Sequence, residues 1–250
     1  MMRKLIYLCF LLFSFAGFSQ NDDLFEEANS AYQSGDYQNA VIFYEEILDN
    51  GETSAELYYN LGNAHYKMNN VAPSIYYYEK ALQLDPTDED IKNNIEFARN
   101  MAIDDIEEVE QTGINQWFNG LISTYSYSTW AVIAIIFSIL FVALFLLYYF
   151  TYTSLYKRLL FTGAMLAILL CGLSVIFAFQ QQSYIQENQY AIIFGEEVEV
   201  RDEPNLRGDA SFELHEGTKA KVLEDYQEWA RIELANGAQG WVKNSAIKKL

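Results

Sequence analysis

The chain has 250 residues and carries 34 Asp and Glu against 16 Lys and Arg, a net charge of −18. Twenty-one of those acids but only 4 of the bases lie between Asn21 and Gln111. A surface so acidic repels phosphate, which excludes nucleic acid as a partner. Only two cysteines occur, Cys9 near the start and Cys171 inside an apolar run, so no disulfide framework can staple the fold.

Residues 1–19 read as a signal peptide: Arg3 and Lys4, the apolar run Leu5–Phe15, then small residues at Gly17 and Ser19. Whether cleaved after Ser19 or retained as an anchor, this leader carries the following segment out of the cytoplasm. From Asn21 the sequence repeats with a period of 34: Ala28 aligns with Gly62, Asn29 with Asn63, Gly35 with Asn69, and Tyr44 with Tyr78. ANSAYQSGDYQNAVIFYEEIL and LGNAHYKMNNVAPSIYYYEKALQLDP resemble the tetratricopeptide repeat. Small residues such as Ala28, Gly62, Ala40 and Ser74 suit close helix crossings, while Tyr44 and Tyr78 fill the space between repeats. Asp88–Met101 adds a capping helix and completes an all-α domain over 21–103. Two and a half repeats are few for independent stability, so help from a partner or from self-association is expected.

The resemblance implies a ligand groove along the first helix of each repeat, lined by Phe25, Asn29, Tyr32, Tyr59, Asn60, Asn63, Tyr66 and Lys67. In chaperone-binding members of the family, two asparagines and three basic residues clamp a C-terminal carboxylate. Asn29 and Asn60 match the clamp asparagines, but Phe25, Asp90 and Asn94 stand at its basic positions. Peptide binding by stacking and amide hydrogen bonds is one use of such a groove. Ordering of helix contacts by the asparagines is the other.

Residues 104–128 form an acidic linker that ends near the membrane. Thr129–Phe150 and Leu159–Phe179 are uncharged runs of 22 and 21 residues, about 33 and 31 Å as helices against hydrocarbon roughly 30 Å thick. The loop 151–158 between them is too short for a domain, so the spans form a hairpin and both flanks face one compartment. Lys157 and Arg158 lie in that loop, whereas Ile106–Ser128 and Gln180–Val200 contain no Lys or Arg. Positive charge marks the cytoplasmic side, which places both large segments outside the cytoplasm. Gly163, Ala167 and Cys171, with Ala134 and Ser138 opposite, give small side chains at the helix seam.

After a linker over 180–189 the period changes from helical to alternating. EVEVR, KAKVL, ARIEL and GWVK read as short strands between Gly and Pro turns. VEVRDEPN, HEGTK, EWARIEL and GWV resemble the bacterial SH3 domain, which implies a small all-β SH3-like barrel over 190–250. Trp229 and Trp241 are expected to fill much of its core, or alternatively to line a groove. Such modules bind peptides or cell-wall material elsewhere.

No metal-ligand, phosphate-loop or nucleophile motif occurs, and neither His65 nor His215 has a catalytic neighbour in sequence. The expectation is therefore no enzyme, no cofactor and no metal. The order of leader, tetratricopeptide repeats, membrane hairpin and SH3-like domain, with the junction EFARNMAIDDIE, resembles the BatE-type family of bacterial aerotolerance operons. That resemblance implies a bacterial inner-membrane protein with both soluble domains periplasmic. It also implies partners among Bat-type membrane proteins with von Willebrand factor A domains, and an associated MoxR-type ATPase. A scaffold for such a complex is the first functional expectation, and a tether gripping peptidoglycan the second.

Overall fold

A computed structural model describes residues 19–106, 120–207 and 209–250. The expected leader, apart from Ser19, lies outside the described residues, as do residues 107–119 of the linker.

Five helices open the chain: α1 (Ser19–Gln33), α2 (Tyr37–Asp49), α3 (Ala55–Lys67), α4 (Val71–Leu84) and α5 (Glu89–Arg99). Local chemistry sets their ends. Asp36, Ser54 and Asp88 each accept a backbone N–H of the first turn of α2, α3 and α5, the usual task of an N-cap oxygen. The turns α1–α2 and α3–α4 place Gly35 at φ +85° and Asn69 at φ +62°. These equivalent positions of the 34-residue period share the left-handed backbone that Gly and Asn adopt at least cost. The periodic small residues are where the helices cross. Ala28, Ala40, Ala64, Ser74, Ala81 and Ala98 are fully buried, and a Cβ on Gly62 would stand 2.6 Å from the Tyr78 ring.

Helices α6 (Tyr127–Phe150) and α7 (Ser154–Glu187) form the hairpin. Both are long and apolar enough to cross a membrane, and only 6% and 17% of their most apolar 18-residue windows are buried within the protein. Core helices of a soluble domain are mostly buried, and these are not. The connection is shorter than the expected loop 151–158: α7 starts at Ser154 and takes Lys157 and Arg158 into its first turns. Hydropathy marks where the apolar run stops, whereas the helix stops only where backbone pairing does. At the other end α7 runs on past Phe179 to Glu187, through most of the expected linker 180–189. Ala134, Ala164, Ala167 and Ser174 are buried in the seam. Ser138, expected there, is exposed, and Cys171 is half-buried.

The C-terminal part is a seven-stranded antiparallel sheet in the order β3-β2-β6-β5-β4-β1-β7. Its strands are β1 (Tyr190–Ile193), β2 (Glu197–Arg201), β3 (Ala210–His215), β4 (Lys219–Tyr226), β5 (Trp229–Glu233), β6 (Gln239–Lys243) and β7 (Ile247–Lys249). The topology is consistent with an SH3-like domain, and no ladder joins β3 to β7 among the described residues. Its core differs from the expectation. The buried cluster is aliphatic, built from Ala191, Ile193, Val198, Val200, Leu214, Ala220, Val222, Ala230, Ile232, Leu234 and Val242. Trp229 is buried outside that cluster, and Trp241 is only half-buried. The reason is alternation: Gly240 and Val242 point inward on β6, which turns Trp241 to the other face.

The sheet packs on the helical domain. Ile192 is fully buried in the helical core, with Phe194 and Leu250 packed against it. Phe194 meets Tyr76 edge-on at 5.8 Å, and Lys248 Nζ sits 4.3 Å above the Tyr76 ring. Gly217, at φ +92°, seats the β3–β4 turn so closely that a Cβ would lie 2.9 Å from both Val71 Cγ1 and Ile75 Cδ1. Buried Glu79 receives Lys219 Nζ at 2.7 Å and Arg99 at 2.8 Å. Burial pushes its carboxyl pKa up, but the two cations outweigh burial and hold it below the usual carboxylate range. Asp104 accepts from His215 N, His215 Nδ1 and Thr218 Oγ1 at 2.7, 2.7 and 2.6 Å. Part of the support that a short repeat array needs thus comes from the same chain.

Gly217→Ala should cost about 1–3 kcal/mol through the left-handed backbone and the close approach, and should speed hydrogen exchange in α4, readable by mass spectrometry. The Asp104 hydrogen bond raises the His215 pKa above 6.5. A raised basic group contributes fully below its unfolded value and loses that contribution as pH rises through its folded one. The melting-temperature gap between the native chain and Asp104→Asn should therefore be widest near pH 6 and narrow by pH 9.

Candidate binding surfaces

The first helices of the repeats, α1, α3 and α5, carry a repeated hydrogen-bond unit. Tyr44 Oη donates to Asn29 Oδ1 at 2.6 Å, and 34 positions on Tyr78 Oη donates to Asn63 Oδ1 at 2.6 Å. Asn60 Nδ2 reaches Asn29 Oδ1 at 3.4 Å, and Asn94 Nδ2 reaches Asn63 Oδ1 at 2.8 Å. Asn94 Nδ2 also donates to Tyr59 Oη at 2.9 Å. The asparagines therefore ladder α1 to α3 and α3 to α5, with a tyrosine of each second helix hydrogen-bonded from behind. Burial raises the Tyr44 pKa to about 12, with smaller contributions from Tyr32 and Glu56, so the hydroxyl keeps its donating proton throughout the physiological range.

The groove residues are thus drawn together, but several are committed to helix packing. Phe25 lies tilted against Tyr44 at 5.8 Å, Tyr59 against Tyr78 at 6.0 Å, and Tyr32 edge-on to Tyr37 at 5.2 Å. Tyr66 is half-buried and Lys67 is exposed. Asn94, the residue at one of the clamp's basic positions, is the next rung of the ladder. Both Asn29 and Asn63 accept through Oδ1, which leaves their Nδ2 donors without a partner among the described residues.

The second surface is the outer face of the sheet. Trp241 on β6 is flanked in register by Arg201 of β2 and Arg231 of β5. Exposed Tyr226 stands edge-on to Trp241 at 6.4 Å. Glu199 and Gln239 hold the two arginine side chains in place. The sequence marks Trp241, but not the arginines, because only the register places them beside it.

The two histidines serve packing. His65 stacks on Tyr77 at 5.4 Å, and burial together with the Lys248 charge lowers its pKa to about 4. His215 is paired with Asp104. Among the described residues no three His, Cys, Asp or Glu side chains are gathered to hold a metal.

Residues 55–88 match the tetratricopeptide repeat family and residues 195–249 match the bacterial SH3 domain family. The first match covers α3 and α4 and the second the sheet from β2 onward. No curated protein matches the chain.

Asn63→Ala leaves the buried Tyr78 hydroxyl without an acceptor and should cost about 1–3 kcal/mol in thermal unfolding. Adding Tyr78→Phe removes the orphaned donor, so the double variant should lose less than the sum of the single ones.

Proposed function

We propose that the chain is a non-enzymatic membrane scaffold that holds a peptide-binding repeat domain and an SH3-like module as one body beside a bilayer. The observation that carries this reading is the division of the helical domain into two faces. The flank of α4 is occupied by the chain's own sheet, while the asparagine ladder across α1, α3 and α5 is left for another molecule. Asn29 and Asn63 are locked in orientation by their tyrosines, so their amide N–H groups suit the backbone carbonyls of an extended peptide. With Phe25, Asp90 and Asn94 at the basic positions of the clamp, recognition rests on backbone and ring contacts rather than on a terminal carboxylate.

Lys157 and Arg158 at the hairpin bend, together with cation-free flanks, support an inner-membrane protein with both modules in the periplasm. The module order supports membership of a Bat-type envelope complex linked to stress or aerotolerance, with von Willebrand factor A-domain membrane proteins as partners. A second reading, a tether to peptidoglycan through a closed SH3-like barrel, is favoured by Trp241 and Tyr226 on the outer face of the sheet.

Crosslinking in intact membranes followed by mass spectrometry should join the ladder face to a membrane partner. Asn29→Ala with Asn63→Ala should cut that yield about tenfold, the equivalent of about 1.4 kcal/mol. Under the tether reading the full chain instead sediments with peptidoglycan, and Trp241→Ala releases it. Absence of any captured membrane partner, with sedimentation that Trp241→Ala abolishes, would overturn the scaffold in favour of the tether.

A further inference from the structure

At the end of the hairpin where α6 begins and α7 leaves the apolar run lies a cavity of about 360 Å³. Small-ligand sites span about 300–1,000 Å³. Ile122 and Phe179 form its apolar side, and Gln180, Gln181, Tyr184 and Glu187 its polar side. Its walls are fixed in place. Trp130 Nε1 donates to Ile122 O at 3.0 Å, and the Trp130 ring stands edge-on to Phe177 at 5.0 Å. Gln181 is only 8% exposed, and its side-chain amide has no hydrogen-bond partner among the described residues. An amide that lines a cavity and has no partner among the described residues is a donor and acceptor open to a ligand.

Position and charge say which ligand. Phe179 is the last residue of the apolar run and 66% exposed, so the cavity opens where hydrocarbon gives way to headgroups. Neither flank of the hairpin supplies a Lys or Arg, and among the described residues the one charged group lining the cavity is the Glu187 carboxylate, with Lys221 Nζ held by the neighbouring Asn188 at 2.6 Å. A headgroup with phosphate as its only charge would be repelled. A headgroup that adds a primary ammonium is matched: the ammonium meets Glu187, and the phosphate and ester oxygens accept from Gln180, Gln181 and the Tyr184 hydroxyl. We propose that this cavity binds the headgroup of phosphatidylethanolamine. The inference rests on the reading of α6 and α7 as membrane spans.

The test is native mass spectrometry of the full chain released from nanodiscs of equal phosphatidylethanolamine, phosphatidylcholine and phosphatidylglycerol. Phosphatidylethanolamine should be retained about tenfold over the other two, the scale of one charge-assisted hydrogen bond. Glu187→Gln should abolish its advantage over phosphatidylcholine, whose ammonium carries no N–H. Gln181→Leu should lower retention of phosphatidylethanolamine at unchanged helicity. Should that buried change disturb folding, the exposed Glu187 still decides the matter. Equal retention of the three lipids, a preference for phosphatidylglycerol, or a preference surviving Glu187→Gln would overturn the proposal. Displacement by soluble O-phosphoethanolamine would overturn the lipid as the source. Extraction of the chain from membranes by alkaline carbonate would sink the membrane reading itself, whereas its retention without lipid selectivity sinks the site alone.

Discussion

One contact governs the arrangement of this protein: the seating of the C-terminal sheet on α4. Glu79 is the pivot, a buried carboxylate whose two cations come from different parts of the chain, Arg99 from the adjoining helix and Lys219 from β4. Removing either partner would leave a charge in a poorly solvated place, which is why such groups fix one geometry more than they add net stability. Around the pivot the contact is apolar and close, with Ile192 inside the helical core and Gly217 against Val71 and Ile75. A repeat array ends where an apolar flank runs out of neighbours. Here the sheet provides the missing neighbour.

The contact also constrains the membrane topology. Residues 104 and 215 are hydrogen-bonded, yet the whole hairpin separates them in sequence. Both ends of α6 and α7 must therefore lie on one face of any bilayer they cross. An even number of spans and a three-residue bend satisfy that requirement. Function follows from what the contact uses and what it spares. It consumes the second-helix flank of the last repeat and leaves the first-helix face and the Trp241 face of the sheet uncovered by it, the two faces on which the proposed function rests.

Much of this was legible in the sequence because it is local or periodic. A period of 34 gives the repeats, and the same period predicts which residues are small, which are aromatic, and where Gly35 and Asn69 turn the chain. Uncharged runs give the hairpin. The asparagines are visible as groove residues, but their bonding to Tyr44 and Tyr78 appears only when the second helices are folded behind them. Other features were not readable. The core role expected of Trp241 failed because strand alternation turns it to the other face of the sheet, and the aliphatic side chains suffice to fill the core. β1, β3 and β7 lack the clear alternation of their neighbours. Helix α7 outlasts its apolar run because glutamines and serine propagate a helix already nucleated. Most of all, Glu79–Lys219 and Asp104–His215 join residues more than 100 positions apart, and no local pattern announces such a pairing.

The measurement closest to the central claim is a disulfide between Asp104→Cys and Thr218→Cys, with Cys9 and Cys171 replaced by Ser, formed in intact membranes of cells making the full chain. The native side chains meet in a hydrogen bond at 2.6 Å, the contact that the paired thiols report. A bridge within single chains, formed readily under mild oxidation, is the predicted result. If both thiols react with a membrane-impermeant maleimide added from one side yet never join within a chain, the sheet does not sit on α4. If they react from opposite sides, the two modules do not share a compartment.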